Sequence, residues 1–262
     1  MKIRIGTRAS ALAMAQARLA AQALRQKGVG AELVLISTRG DEDAASPLAA
    51  LGRGAFTSAL SRALAAGEID LAVHSAKDLP EGEAHDGFYC LPRGDARDVL
   101  VSAAGRAPVR IGTSSLRRAQ AMARLFPAAQ VLPVRGNIDT RLGKLFAGGY
   151  DALVLAAAGL SRLGFADARA AVTFLSPAQC VPAACQGILA LEGEAGALVD
   201  DAAARRAADI ERAMQRALGG GCTGGAGAYF DGQTLFAQKG GRIRSLRYEG
   251  AGSIARLAEE LQ

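Results

Sequence analysis

Apolar, β-branched runs alternate along this chain with stretches whose apolar residues recur every three to four positions, the signature of strands alternating with amphipathic helices. "KIRIGT" is followed by a helix-period stretch from about Ser10 to Arg25, "AELVLIST" by one from about Thr57 to Ala66, and then come "IDLAVHS" and "DVLVSA". The pattern restarts with "VRIGTSS" before a helix at Leu116–Leu125, "QVLPVRG" before a helix at Thr140–Phe146, and "DALVLAAAG" before a further short helix. Ser10 is placed to cap the first helix and Gly67 to end the second. This is α/β layering, and the long crossovers predict largely parallel sheets with ligands at the carboxyl ends of the strands.

"IRIGTRAS" near the start and "VRIGTSSLRR" near residue 109 share a strand, a Gly-Thr turn and a helix start carrying arginine. They predict equivalent positions in two similar lobes, with helix-start amides and guanidinium groups facing an anionic ligand across a cleft. The expected partition is domain 1 over 1–95, with a return segment of about 188–214, and domain 2 over 96–187, the crossings lying near "PRGDARD" and "VPAACQG". After an Ala-rich helix, about Asp201 to Leu218, the glycine-rich "GGGCTGGAGAYFDG" opens a small third domain over 215–262. Within it "QTLFAQKGGRIRSLRYEG" predicts hairpin strands and "SIARLAEELQ" a closing helix.

With 262 residues, half of them hydrophobic, the chain can bury substantial cores. It has no run of the roughly 18 apolar residues that a membrane span needs, and its start is too charged for a secretory signal, so no membrane partner and a cytoplasmic location are expected. The cysteines Cys90, Cys180, Cys185 and Cys222 form no CxxC pair and only His74 and His85 could join them, so no metal site is expected and free thiols fit better. Of the 31 basic residues, 26 are arginine, which suits bidentate recognition of carboxylates or phosphates. There is no GxxxxGK[ST] loop or GxGxxG fingerprint, and aromatic residues make up only 5%, so nucleic acid is not an expected partner.

Three constellations carry candidate chemistry. In "HSAKDLP", Asp78 is either a turn cap before Pro80 or a strand-end carboxylate that protonates a leaving group or stabilises a developing cation. Lys77 beside it is a salt-bridge partner or an anion ligand, while His74, inside the apolar run, fits a core histidine better than a base. In "GTSSLRRAQ", Thr113, Ser114 and Ser115 precede a helix whose first turn carries Arg117 and Arg118, where cations oppose the helix dipole and call for an anionic partner. "VRGNIDTRLGKL" adds Arg135 at a strand end and Arg141 one turn into the next helix, and Arg8 marks a further strand end. Cys222, flanked by glycines, is exposed to approach and could be a nucleophile, a redox sensor or a covalent anchor, whereas Cys90 in "FYCLP" is a packing residue.

These stretches, with "STRGD", "GRGAFTSALSRALAAGEIDLAVHSAKDLP", "RDVLVS", "YDALVLAAAGLSRLG", "PAACQGILALE" and "ERAMQRALGGGC", come in the order found in the porphobilinogen deaminase (hydroxymethylbilane synthase) family, which the chain resembles over about residues 3–225. The resemblance implies two lobes like periplasmic solute-binding proteins beside a small α+β domain bearing the cofactor cysteine. It implies a transferase of tetrapyrrole and heme biosynthesis that joins four porphobilinogen molecules head to tail with release of ammonia, a cytoplasmic monomer using a dipyrromethane tied to Cys222 by a thioether. By motif, Asp78 is the catalytic aspartate, assisting loss of ammonia and stabilising the electron-poor azafulvene. Ser75, Lys77, Thr113, Ser114, Ser115, Arg117 and Arg118 hold the cofactor, Arg8, Ser10, Arg135 and Arg141 receive substrate and growing chain, and Phe56 is an aromatic on a loop over the cleft.

The chain departs from the family pattern in places. Arg53 stands where lysine is common, Cys185 where glycine is usual, "CTGGAG" lacks the bulkier residues that usually follow the cysteine, and both the 192–211 segment and the tail after Cys222 are short. A non-catalytic two-lobed binder of a small polycarboxylate is the alternative that the fold alone allows. It would need neither Asp78 nor Cys222.

Overall fold

Strand β1 (Ile3–Thr7) passes into helix α1 (Ala11–Gln26) through Ser10, whose hydroxyl accepts from the Ala13 amide at 3.4 Å, so the cap read from the sequence is in place. The computed structural model describes residues 2–37, 58–80, 87–103, 108–220 and 224–262. The chain divides into two units, Met1–Arg93 with Ile188–Arg206, and Gly94–Gly187 with Ala207–Gln262.

Unit 1 continues through β2 (Ala31–Leu35), α2 (Ser58–Ala65), β3 (Leu71–Ser75) and β4 (Tyr89–Cys90). Helix α2 ends as expected at Gly67, which adopts the left-handed φ of +70° and donates to Leu64 O at 3.0 Å. After the chain returns, β10 (Leu189–Glu192) completes a sheet in the order β2-β1-β3-β10-β4. Side chains alternate across it: Leu71 and Val73 pack with Ile5 and with Ala17, Ala20 and Leu24 of α1, while Ala72 packs with Leu60 and Ala63 of α2 on the opposite face.

Unit 2 begins with β5 (Asp98–Ala103), β6 (Arg110–Gly112), α3 (Leu116–Leu125), β7 (Gln130–Leu132), α4 (Ile138–Phe146), β8 (Ala152–Ala156), α5 (Ala157–Arg162) and β9 (Ala170–Phe174). Its sheet runs β7-β6-β8-β5-β9, so β6, β7 and β8 occupy the places that β1, β2 and β3 hold in unit 1. Leu153 and Leu155 face α4 and α5, and Ala152 and Val154 face α3. Helix α6 (Ala202–Ala217) precedes a separate antiparallel sheet of β11 (Gly227–Phe230), β12 (Thr234–Lys239) and β13 (Arg242–Arg247), with α7 (Ala251–Glu260) closing it. The hairpins and the closing helix agree with the sequence.

The two "RIGT" stretches are structurally equivalent in detail. Arg4 in β1 binds Asp70, the residue before β3, and Arg110 in β6 binds Asp151, the residue before β8. Glycine follows in both: a Cβ on Gly6 would lie 2.3 Å from Ile69 Cδ1, and one on Gly112 2.6 Å from Leu153 Cδ2. The sheets differ from expectation in strand direction. β1, β2 and β3 are parallel, as are β6, β7 and β8, but β10 runs antiparallel to β3 and β4, and β5 antiparallel to β8 and β9. Each antiparallel strand lies beside a crossing point of the chain, β5 after Arg93 and β10 after Gly187, where no crossover helix fixes a parallel return.

Candidate functional site

In unit 1 the loops after β1 and β3 leave the same edge of the sheet, because the two strands are parallel with Gly6 opposite Ala72. The first loop carries half-buried Arg8 and Ser10. The second is a single 3₁₀ turn, Ala76–Asp78, in which buried Ala76 anchors the backbone while Lys77 is half-buried and Asp78 exposed. Asp78 makes no side-chain hydrogen bond among the described residues, and Leu79 N donates instead to Ala76 O at 3.2 Å. The turn is closed by backbone alone.

Gln16, 5% exposed in α1, donates from Nε2 to Ser75 Oγ at 2.8 Å. Because the Ser75 oxygen accepts that bond, its own proton is left to donate outward. Sequence reasoning missed Gln16; the signal was a lone polar residue within the apolar face of "ALAMAQARLA". His74 behaves as the core histidine anticipated: it is buried, with Nε2 2.9 Å from Glu192 Oε2, which also accepts from Ser61 Oγ at 2.8 Å.

In unit 2 the parallel ends of β6 and β7 are joined by Ser114, whose Oγ donates to Val134 O at 2.7 Å and accepts from Val134 N at 3.1 Å. Thr113 is buried and its Oγ1 accepts from Ser115 N at 3.2 Å. Asn137 caps α4 through its bond from Thr140 N at 2.8 Å. Arg141 in the first turn donates from Nε to Gly136 O at 2.7 Å, and Arg135 is exposed on the loop that precedes the cap.

Arg117 and Arg118 point into the unit. Each is under a tenth exposed, and both bind the fully buried Asp98, which opens β5. Asp98 Oδ2 accepts from Arg117 Nη1 at 2.6 Å and from the Cys180 thiol at 3.2 Å. Oδ1 accepts from Arg118 Nε at 3.0 Å, Arg118 Nη2 at 2.7 Å and Gln186 Nε2 at 2.8 Å. Burial alone would raise the Asp98 carboxyl, but the two guanidinium groups outweigh it and hold it below the usual carboxylate range. The Cys180 thiol is pushed up to about 12 by burial and by Asp98, so it stays neutral. Two guanidinium cations against one carboxylate leave the cluster with a net positive charge. The dipole conflict at the start of α3 is thus met from within by Asp98, a partner that the sequence did not reveal.

Arg162, at the end of α5, was also missed. Its Nη2 donates to Gly187 O at 2.6 Å, it has no carboxylate partner among the described residues, and burial lowers its pKa to about 10. The sequence signal was one arginine in the otherwise apolar "AAAGLSRLG".

Cys185 has φ +62°, the only non-glycine residue with positive φ among those described, which explains why glycine suits this position. Its amide donates to buried Glu211 Oε2 at 2.7 Å, while Glu211 Oε1 accepts from Phe230 N at 2.8 Å. Cys222 and Phe56 lie outside the described residues, as do Arg53 and His85.

Unit 1 thus presents a strand-end hydroxyl and an exposed carboxylate, and unit 2 strand-end hydroxyls and arginines, each on an α/β frame. Residues 3–206 match the family described as "Porphobilinogen deaminase, dipyromethane cofactor binding domain". The porphobilinogen deaminase of Roseiflexus castenholzii is 42% identical, over 98% of this chain and 94% of its own length; that of Mycobacterium tuberculosis is 46% identical, over 86% and 77%. The chain belongs to the porphobilinogen deaminase family. Among solved structures, substrate-binding domain 2 of Lactococcus lactis GlnP is similar at 11% identity and a TM-score of 0.47, over 76% of this chain and 86% of that one.

The matched domain binds a dipyrromethane, and the residues fit such a group. Arg117, 3% exposed, uses only Nη1 for its bonds among the described residues, so its Nε and Nη2 donors are open. An open donor edge on a net-positive cluster suits a carboxylate. No helix among the described residues is long and apolar enough to cross a membrane.

Proposed function

We propose that the protein is a hydroxymethylbilane synthase, joining four porphobilinogen molecules head to tail, releasing ammonia, and working as a cytoplasmic monomer. The observation that carries the reading is Asp78, an exposed carboxylate on a backbone-closed turn, with no structural bond among the described residues to account for it. Its role is to hold a proton at the leaving amino group and to offset the positive charge that develops as ammonia departs.

Ser75, Lys77, Thr113, Ser114, Ser115, Arg117 and Arg118 would hold the dipyrromethane, with Cys222 as the thioether anchor. When bound, that group supplies the pyrrole end on which the chain grows. Arg8, Ser10, Arg135 and Arg141 would pair the acetate and propionate groups of incoming units, and Phe56 would cover them. Arg162 joins this set, since its half-buried charge has no carboxylate among the described residues. The division into domains at 1–95 with 188–214, 96–187 and 215–262 belongs to the same proposal.

The test is denaturing mass spectrometry on protein from cells that make porphobilinogen. Wild type should weigh two linked pyrrole units more than its sequence and Cys222→Ala only its sequence. Porphobilinogen added in stages should give covalent species with one, two or three further units. A single complex that vanishes on denaturation is the result expected of a solute binder and would overturn the reading.

A further inference from the structure

Asp98 is 0% exposed and saturated: five donors from four side chains converge on its two oxygens. On the Arg118 side, Nε and Nη2 go to Asp98, and Nη1 goes to Val154 O at 3.1 Å. On the Arg117 side, only Nη1 is held, by Asp98, by the Val181 carbonyl and by Cys180 Sγ at 3.3 Å. The stem of Arg117 is fixed as well, since a Cβ on Gly227 would lie 2.9 Å from Arg117 Cδ, and Gln238 Nε2 binds Arg117 O at 3.0 Å. Held at one terminal nitrogen and along its stem, the guanidinium has one orientation, and its Nε–Nη2 edge is the one left open.

A carboxylate serving only to neutralise buried charge would not leave this pattern. The cluster retains a net positive charge, and neither Nε nor Nη2 of Arg117 is among the buried polar atoms without a partner, so that edge is reachable from solvent and by a ligand. Local rules are broken in this way mainly where a ligand completes the arrangement.

We infer that Asp98 is a positioning residue: it grips Arg117 by Nη1 and so presents the Nε–Nη2 edge to a carboxylate of the tetrapyrrole-type ligand. This rests on the reading of Arg117 as a cofactor-holding residue. Asp98 touches no ligand itself, and its effect is on the concentration of porphobilinogen needed to load the protein.

The experiment follows cofactor loading by denaturing intact mass as porphobilinogen is titrated onto cofactor-free, full-length protein, with the folded fraction of each variant measured by circular dichroism. Asp98→Asn keeps the shape but weakens the grip, and its folded population should need at least 10-fold more porphobilinogen for half-loading. Cys180→Ala removes the weakest of the three partners of Arg117 Nη1 but leaves Asp98 and the Val181 carbonyl in place, so it should lower the thermal midpoint yet shift half-loading clearly less than the Asp98 variants do. Asp98→Glu keeps the charge but displaces it by one methylene, and guards against loss of folding in the Asn variant; it too should shift half-loading. Folded Asp98→Asn or Asp98→Glu loading at the wild-type concentration overturns the inference, as does a shift that merely tracks stability across all three variants. If Arg117→Met loads normally, the reading of Arg117 itself has failed, and the inference falls with it.

Discussion

Asp70 binds Arg4 through both oxygens: Oδ2 accepts from the Arg4 amide at 2.8 Å and from Nε at 3.0 Å, and Oδ1 from Nη2 at 2.6 Å. The pair ties β1 to the residue before β3, and Asp151 repeats it on Arg110 in unit 2, where its Oδ1 accepts from Nη2 at 2.9 Å. Each unit therefore uses one carboxylate to fix its first parallel strand to the strand beside it, β1 to β3 and β6 to β8.

These pairs set an acid response. The Arg4 side-chain bond, then the bond from its amide, lower Asp70 to about 2, against roughly 3.9 for an unperturbed aspartate. A carboxyl lowered on folding stabilises the fold above its unfolded pKa, and that contribution is lost as pH falls from about 4 toward 2. Solvent screening keeps the contribution modest. Urea unfolding of Asp70→Asn should show a flatter pH dependence than wild type between pH 4 and 2, with Asp151→Asn acting in the same direction. Identical slopes would show that the pair is unimportant to acid stability.

Asp78→Asn should fold as wild type does, because no structural bond among the described residues depends on the carboxylate. If charge stabilisation lowers the barrier by about 3 kcal/mol, turnover should fall at least 100-fold. A variant that keeps a tenth of wild-type turnover, measured as ammonia release on cofactor-loaded protein, would leave Asp78 without a catalytic role.

Arg162→Met removes a half-buried cation that has no carboxylate partner among the described residues, at the loss of one bond to Gly187 O. Thermal stability should hold or rise, since burial disfavours the charged form, while chain growth should slow at least 10-fold. A lower melting temperature with normal growth would make Arg162 a structural residue.

At Cys185 the left-handed backbone decides which substitutions are tolerated. Cys185→Gly exchanges relief of backbone strain against the lost side-chain burial and a looser unfolded chain, and should change stability by no more than about 1 kcal/mol. Cys185→Val adds a β-branch at positive φ and should destabilise by about 2 kcal/mol or more. Equal denaturation midpoints for the two variants would contradict the strain argument.

Sequence alone determined the features whose causes are local. The Ser10 cap, the Gly67 stop, the apolar runs of β3 and β8 and the Gly-Thr turn within each "RIGT" stretch all depend on residues within a few positions of each other, so their spacing records them. Motif order was equally legible, and with it the family. Strand direction was not, because a buried strand shows the same apolar run whether its neighbour is parallel or antiparallel; β5 and β10 were fixed by where the chain crosses between units. The partners of the arginines were also hidden. Asp98 lies 19 residues before Arg117, and Asp70 lies 66 after Arg4, so only the packed sheets bring those charges together. The same packing left Arg117 with an open edge and Arg162 with no carboxylate among the described residues, since an unmet donor is defined by three-dimensional neighbours.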